Sequence, residues 1–273
     1  MKAKSRKNLA RIPFYIIMFT FILFVVGIFA TVVIGCFSND WSKTFLPKSF
    51  STFYLKQAWT NYGIAKYYLV SVEIVVVATS LSLICVIPTA YVMARKEMKI
   101  KSLLHQFFQL PILLPELLIG IPLATIFYSI GIAESYGVVV AILIVIGIPF
   151  GLSILIPFIE ALDERVEIAA ETLGANKFKV FTKIIIPQLI PGVVSTLINV
   201  FVRLFTNYTL VLLVGGPKTF TLTIKVFNVL SNAKTEPQAL LNSLTLYYML
   251  PMLIFTFLTL VLEKMLKKRF GGK

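Results

Sequence analysis

Long apolar runs alternate with short polar stretches along the whole chain. Six runs have the length and apolarity of membrane-crossing helices, for which roughly 20 apolar residues suffice. They cover residues 13–36, 67–93, 104–130, 138–159, 187–214 and 244–262. The predicted architecture is therefore an all-α polytopic membrane protein, one domain of six transmembrane helices. The polar intervals are a short N-terminal segment (1–12), loops at 37–66 and 215–240, a basic loop at 95–101, a longer stretch at 163–186, and a tail at 263–273. The third run holds Pro111, Pro115 and Pro122. A helix there is expected to kink, which a membrane tolerates only where neighbours satisfy the freed carbonyls.

The stretch from Asp163 to Gly192 is the longest polar interruption between apolar runs in the second half of the chain. Asp163 suits a helix N-cap, and Glu164 suits the positive end of the helix dipole. Val166, Ala169, Ala170 and Leu173 follow at i, i+3, i+4 and i+7, the spacing of one apolar stripe. Gly174 can take the positive φ that ends a helix. Asn176 can cap a second short helix, on which Phe178, Phe181 and Ile185 share a face. Pro187 fits the first turn of the helix after that. Two short amphipathic helices with a tight bend are predicted. Such a pair either packs as a connector on its own chain or docks on a partner, and the residues alone leave both open.

Composition supports the membrane reading and removes others. Of the 273 residues 58% are hydrophobic, beyond the roughly 45–50% of a soluble domain, and the mean hydropathy is +0.89. The net charge of +14 does not indicate nucleic acid, because the basic residues lie between spans. Of the 26 Lys and Arg, 18 fall on the side of the two termini, the 95–101 loop and the 163–186 stretch. The positive-inside rule therefore predicts cytoplasmic N and C termini, with 37–66 and 215–240 external. Seven aromatics in the first external loop, Trp41, Phe45, Phe50, Phe53, Tyr54, Trp59 and Tyr62, suit a membrane interface. Val33-Ile34-Gly35-Cys36 resembles a lipoprotein cleavage box, but the apolar run exceeds the about 7–15 residues of a signal core, so a retained first span is expected. Cys36 and Cys85 lie at opposite depths, which predicts no disulfide, and one histidine, His105, makes no metal site alone.

Polar residues inside spans are costly and so are candidates for function. Ser195, Asn199, Arg203 and Asn207 recur every four residues on the fifth run, one stripe along a helix. By helical rise Arg203 lies roughly 24 Å in from Pro187, and Glu73 lies roughly 9 Å deep in the second run from the opposite side. An Arg203–Glu73 ion pair follows from that count. Glu116, beside Pro115, either satisfies the kink or lines a path. The stripe either glues helices together or lines a path.

Ala169, Ala170, Leu173, Gly174, Ala175, Phe181, Ile185, Pro187, Pro191 and Gly192 resemble the EAA loop of permease subunits of binding-protein-dependent ABC importers. Ile168 stands at that motif's Glu position, with Glu167 adjacent, and Ile186 replaces a Leu. Pro115-Glu116, Pro149-Phe150, Phe205 to Tyr208, Gly216-Pro217 and Thr221 to Thr223 are similar to spermidine/putrescine-type permeases. The resemblance implies the MetI-like ABC importer permease fold in the bacterial cytoplasmic membrane, with no cofactor. It implies three protein partners: a cytoplasmic ATPase dimer, a second permease subunit of the same or another kind, and an extracytoplasmic solute-binding protein. Lipid surrounds the chain. The ATPase would dock on Glu167, Ala169, Ala170, Leu173, Gly174, Phe178 and Phe181. The path would use Ser195, Asn199, Arg203, Asn207, Glu73 and Glu116. No G-x-x-x-x-G-K-[ST] phosphate loop occurs, so ATP hydrolysis is expected in the partner and not in this chain. The implied solute is of the spermidine/putrescine class, with phosphonate, thiamine and iron(III) as alternatives. The stripe carries a cation and no carboxylate, so either a partner permease supplies the acids a polyamine would prefer, or the solute is anionic or neutral, for example a phosphonate. An ion-coupled secondary transporter is the rival class, although no internal repeat supports it.

Overall fold

The computed structural model describes residues 12–39, 41, 44, 46–233 and 236–270. Lys2, Lys4, Arg6, Lys7, Arg11, Phe45 and Lys273, used in the sequence reading, lie outside the described residues, as do the side chains of Lys267, Lys268 and Arg269. In chain order the helices are α1 (Ile12–Cys36), α2 (Phe53–Thr60), α3 (Ile64–Arg95), α4 (Lys101–Leu113), α5 (Glu116–Ser129) and α6 (Tyr136–Glu160). Then come α7 (Arg165–Thr172), α8 (Lys177–Val180), a π-turn (Phe181–Ile185), α9 (Ile186–Phe205), α10 (Thr209–Val214), α11 (Leu222–Ser231) and α12 (Gln238–Phe270). No strand occurs among the described residues; one antiparallel bridge joins Ser38 and Phe50.

Five helices are long and apolar enough to cross a membrane, and α4 with α5 makes a sixth if the pair is one span. That pair departs from the expected single kinked helix, because its two halves meet at 90°. Leu114 is extended, with ψ 141°, as a residue before proline favours. Pro115 is extended too, with ψ 134°, and Glu116 opens α5 in the position the helix dipole favours for an acid. Pro111 and Pro122 sit inside helices without breaking them. The fifth run also differs from expectation: its helix ends at Phe205, and α10 resumes only at Thr209.

The chain forms two compact units. One comprises residues up to Ile64 together with Asn228–Met249. Within it the Trp59 and Tyr247 rings lie 5.4 Å apart, and the Tyr247 hydroxyl donates to the Leu55 carbonyl at 3.3 Å. Tyr62 donates to Glu236 at 3.1 Å. Burial first, then that bond, raises the Tyr62 phenol above its usual range.

The other unit, Ala65–Phe227 with Leu250–Lys273, is built around α6. Ser135 caps α6 by accepting the Val138 N–H. Gly147 lets α6 approach α3 closely: a Cβ there would stand 2.5 Å from the Ser82 hydroxyl. Towards one end of α6 a core forms from Val86, Ala90 and Met93 of α3, Leu152, Leu155 and Ile159 of α6, and Val180, Ile185 and Leu189 that follow α7. The part of the expected external segment that lies in this unit is not a loose loop. Leu222, Ile224 and Val226 are buried. The Leu222 N–H donates to Ser71 at 2.7 Å, and Thr223 donates to the Phe205 carbonyl at 2.8 Å.

Candidate functional site

Two places in the larger unit gather the sequence candidates. The first is the hairpin between α6 and α9. The Arg165 N–H donates to Asp163 Oδ1 at 2.9 Å, so Asp163 tethers the start of α7. At its end Gly174 takes φ +86°. The Gly174 N–H reaches Glu171 O at 2.9 Å and the Ala175 N–H reaches Ala170 O at 3.0 Å. These are the two bonds of a Schellman turn. Asn176 Oδ1 accepts the Lys179 N–H at 2.8 Å and caps α8. Beyond α8 the helix does not stop. Pro187 has no N–H to give, and its ring crowds the carbonyl four residues back. The turn before it widens to a π-turn, with the Ile186 N–H bonded to Phe181 O.

The residues expected to form the docking face differ in exposure. Glu167 points into its own chain. Its Oε1 accepts Arg95 Nε at 2.8 Å and its Oε2 accepts the Tyr91 hydroxyl at 2.9 Å. Arg95 also donates to the Leu162 carbonyl at 3.0 Å. The Arg95 and Glu167 side chains are only 10% and 13% exposed. Phe181 is half-buried and stacks at a tilt on Tyr91, 5.1 Å between centroids. Ala170 packs against the core. The outward face is made by Ile168, Ala169, Leu173 and Phe178, with Leu173 89% and Phe178 76% exposed. The predicted face shared by Phe178, Phe181 and Ile185 is thus split, because Ile185 is buried.

Tyr91 and Arg95 are neighbours of the hairpin that the sequence reading did not single out. They stand four residues apart at the end of α3, the spacing of one helix face, and that spacing was the available signal. Glu167→Ala would leave the largely buried Arg95 without its carboxylate, at a cost of about 3 kcal/mol. The expected result is a thermal midpoint several degrees lower for the purified protein, with little change for Glu171→Ala on the exposed side. Equal midpoints for the two variants would remove the anchoring role.

The second place is the polar stripe of α9. The Asn199 side chain donates to the Ser195 carbonyl at 2.8 Å and is exposed. Arg203 Nη2 donates to Glu116 Oε1 at 2.8 Å. The side chains are 39% and 22% exposed. The expected pair with Glu73 is therefore replaced by one with Glu116. The depth count treated the third run as one helix, whereas the 90° break carries Glu116 to Arg203. Glu73 is exposed on α3 and makes no ion pair among the described residues. Asn207 leaves the stripe: it is buried, and its Oδ1 accepts the Leu210 N–H at 3.1 Å, capping α10.

These features define a polytopic helical membrane protein with an apolar-faced hairpin left exposed between two of its long helices. Residues 86–271 match the family of binding-protein-dependent transport system inner membrane components, and the chain belongs to that family. A molybdate/tungstate transport system permease protein of Pyrococcus abyssi is 34% identical over 154 residues, 55% of this chain and 62% of that protein. The match thus spans under two thirds of that relative's length. The sulfate transport system permease protein of Escherichia coli is 29% identical over 140 residues, 46% of this chain and 50% of that protein. In the crystal structure of a bacterial ABC transporter involved in import of the acidic polysaccharide alginate, one chain superposes with TM-score 0.67 at 14% identity. That superposition covers 89% of this chain and 95% of the other, and it is a likeness of fold. The expected spermidine/putrescine-type assignment finds no support among these relatives.

Proposed function

We propose that the chain is the permease subunit of an ATP-driven importer of a small tetrahedral oxyanion of the molybdate, tungstate or sulfate kind. The observation that carries this reading is Arg203, half exposed on α9 beside Ser195 and Asn199. Its contact with Glu116 uses one guanidinium nitrogen, and the fork has five N–H donors. An oxyanion can be taken on the remaining donors without breaking the pair. The molybdate/tungstate and sulfate relatives support the same solute chemistry. In this reading the ATPase grips Ile168, Ala169, Leu173 and Phe178 from the cytoplasm, and Glu167, Tyr91 and Phe181 pass its motion to α3. A second permease subunit closes the path across α9, and a binding protein delivers the anion from outside.

The test is solute uptake into liposomes holding the permease with its ATPase and binding protein. ATP-dependent accumulation of molybdate, tungstate or sulfate, with mutual competition, is expected. Accumulation of spermidine or glucose instead would sink the oxyanion reading. Uptake that ignores ATP and stops when the proton gradient collapses would establish a secondary transporter.

A further inference from the structure

At the corner between α3 and α4 a cleft of about 560 Å³ is lined by Lys99, Lys101, Ser102, His105 and Glu160, with Met93 and Met98 on its inner wall. The Lys101–Glu160 contact is long, 3.5 Å, and both side chains are well exposed, so Lys101 keeps donor capacity. No side chain caps the start of α4; the Lys101 N–H is taken by the Met98 carbonyl at 3.0 Å, which leaves the next two N–H groups, of Ser102 and Leu103, to an outside acceptor. The site therefore favours an anion.

The cleft does not end in polar surface. Met93 and Met98 also line an adjoining groove of about 400 Å³, whose other walls are Pro88, Thr89, Val92, Leu104 and Phe108. Phe108 in turn lines a third cavity, about 370 Å³, with Phe107 and Leu114, in the bend where α4 meets α5. A basic cup thus adjoins an apolar channel walled by α3 and α4, the two sharing Met93 and Met98. A free inorganic anion would fill the cup and leave the channel empty. An acidic protein loop would do the same.

We propose that this site holds one anionic phospholipid, its phosphate on Lys99, Lys101 and His105 and an acyl chain in the groove past Met93 towards Phe108. Basic pockets between membrane helices take anionic headgroups in this way. The lipid wedges against Met93, two residues from Arg95 at the end of α3; Arg95 anchors α7, so occupancy stiffens the hairpin. The inference needs only a membrane protein and is independent of the transported solute.

Native mass spectrometry of the full-length protein released from vesicles of phosphatidylglycerol and phosphatidylcholine tests it, with the thermal midpoint as a second readout. The expected result is one phosphatidylglycerol retained in preference to phosphatidylcholine, and a midpoint raised by phosphatidylglycerol but not by inorganic phosphate. In Lys99→Gln/Lys101→Gln the lipid should bind about 30-fold more weakly, since each interfacial lysine contributes about five-fold. Both lysines are at the surface, so the variant folds, and its midpoint without lipid should match the parent. Equal retention by the variant, equal retention of phosphatidylcholine, or equal stabilisation by inorganic phosphate would each overturn the proposal.

Discussion

Gly174→Val is expected to abolish ATP-driven uptake while leaving the amount of protein in the membrane unchanged. The reason lies in the backbone alone. Gly174 has φ +86°, and nothing stands within 4 Å of where a Cβ would be, so crowding contributes nothing. An L-residue in the left-handed region costs roughly 1–2 kcal/mol, and a β-branched one more. Relaxing φ would break the bonds from Gly174 to Glu171 and from Ala175 to Ala170. Helix α7 stays fastened to α3 through Glu167, so the hairpin would open at the turn. Leu173 and Phe178, on either side of Gly174, would then separate and the docking face would be lost. Gly174→Asn should retain most uptake, because asparagine tolerates this conformation, and Gly174→Ala should fall between. Uptake that is equal across the three variants would mean the bend has no part in coupling.

The features of the hairpin that were legible in the sequence are those set by local backbone chemistry. Gly174 at a positive φ, Asn176 as a cap and Pro187 in a first helical turn each depend on one residue type and its near neighbours. The apolar runs likewise appear as long helices because burial or lipid contact rewards the run itself. What was not legible depends on partners distant in sequence. Glu167 turns inward because Arg95 waits for it 72 residues away. The third run holds three prolines with similar local signals, yet only Pro115 marks a break. Glu116, which opens the helix after that break, bonds Arg203 across 87 residues. A count of depth along a straight helix could not foresee that, and so chose Glu73. Phe178 and Phe181 differ in exposure for a similar reason: Phe181 finds the Tyr91 ring, 90 residues earlier in the chain, and Phe178 finds no such ring among the described residues.

Arg203→Gln is expected to lower oxyanion uptake by about 100-fold, the equivalent of one or two charge-assisted hydrogen bonds to the solute. The single variant alone is ambiguous, because it also strands Glu116, whose side chain is 22% exposed. The pair of variants resolves this. Glu116→Gln keeps the cation and frees more of its donors, so uptake should persist and the apparent affinity for the anion should rise. Arg203→Gln/Glu116→Gln removes the stranded carboxylate, so its thermal midpoint should recover towards the parent while uptake stays lost. The swap Arg203→Glu/Glu116→Arg should restore the midpoint but not transport, since the cation then stands on α5 and off the stripe of Ser195 and Asn199. If the pair were only glue between α5 and α9, the neutral double variant and the swap would both transport in proportion to their stability. Recovery of uptake in either one would therefore refute a solute contact at Arg203, and loss of uptake in both, with midpoints restored, would establish it.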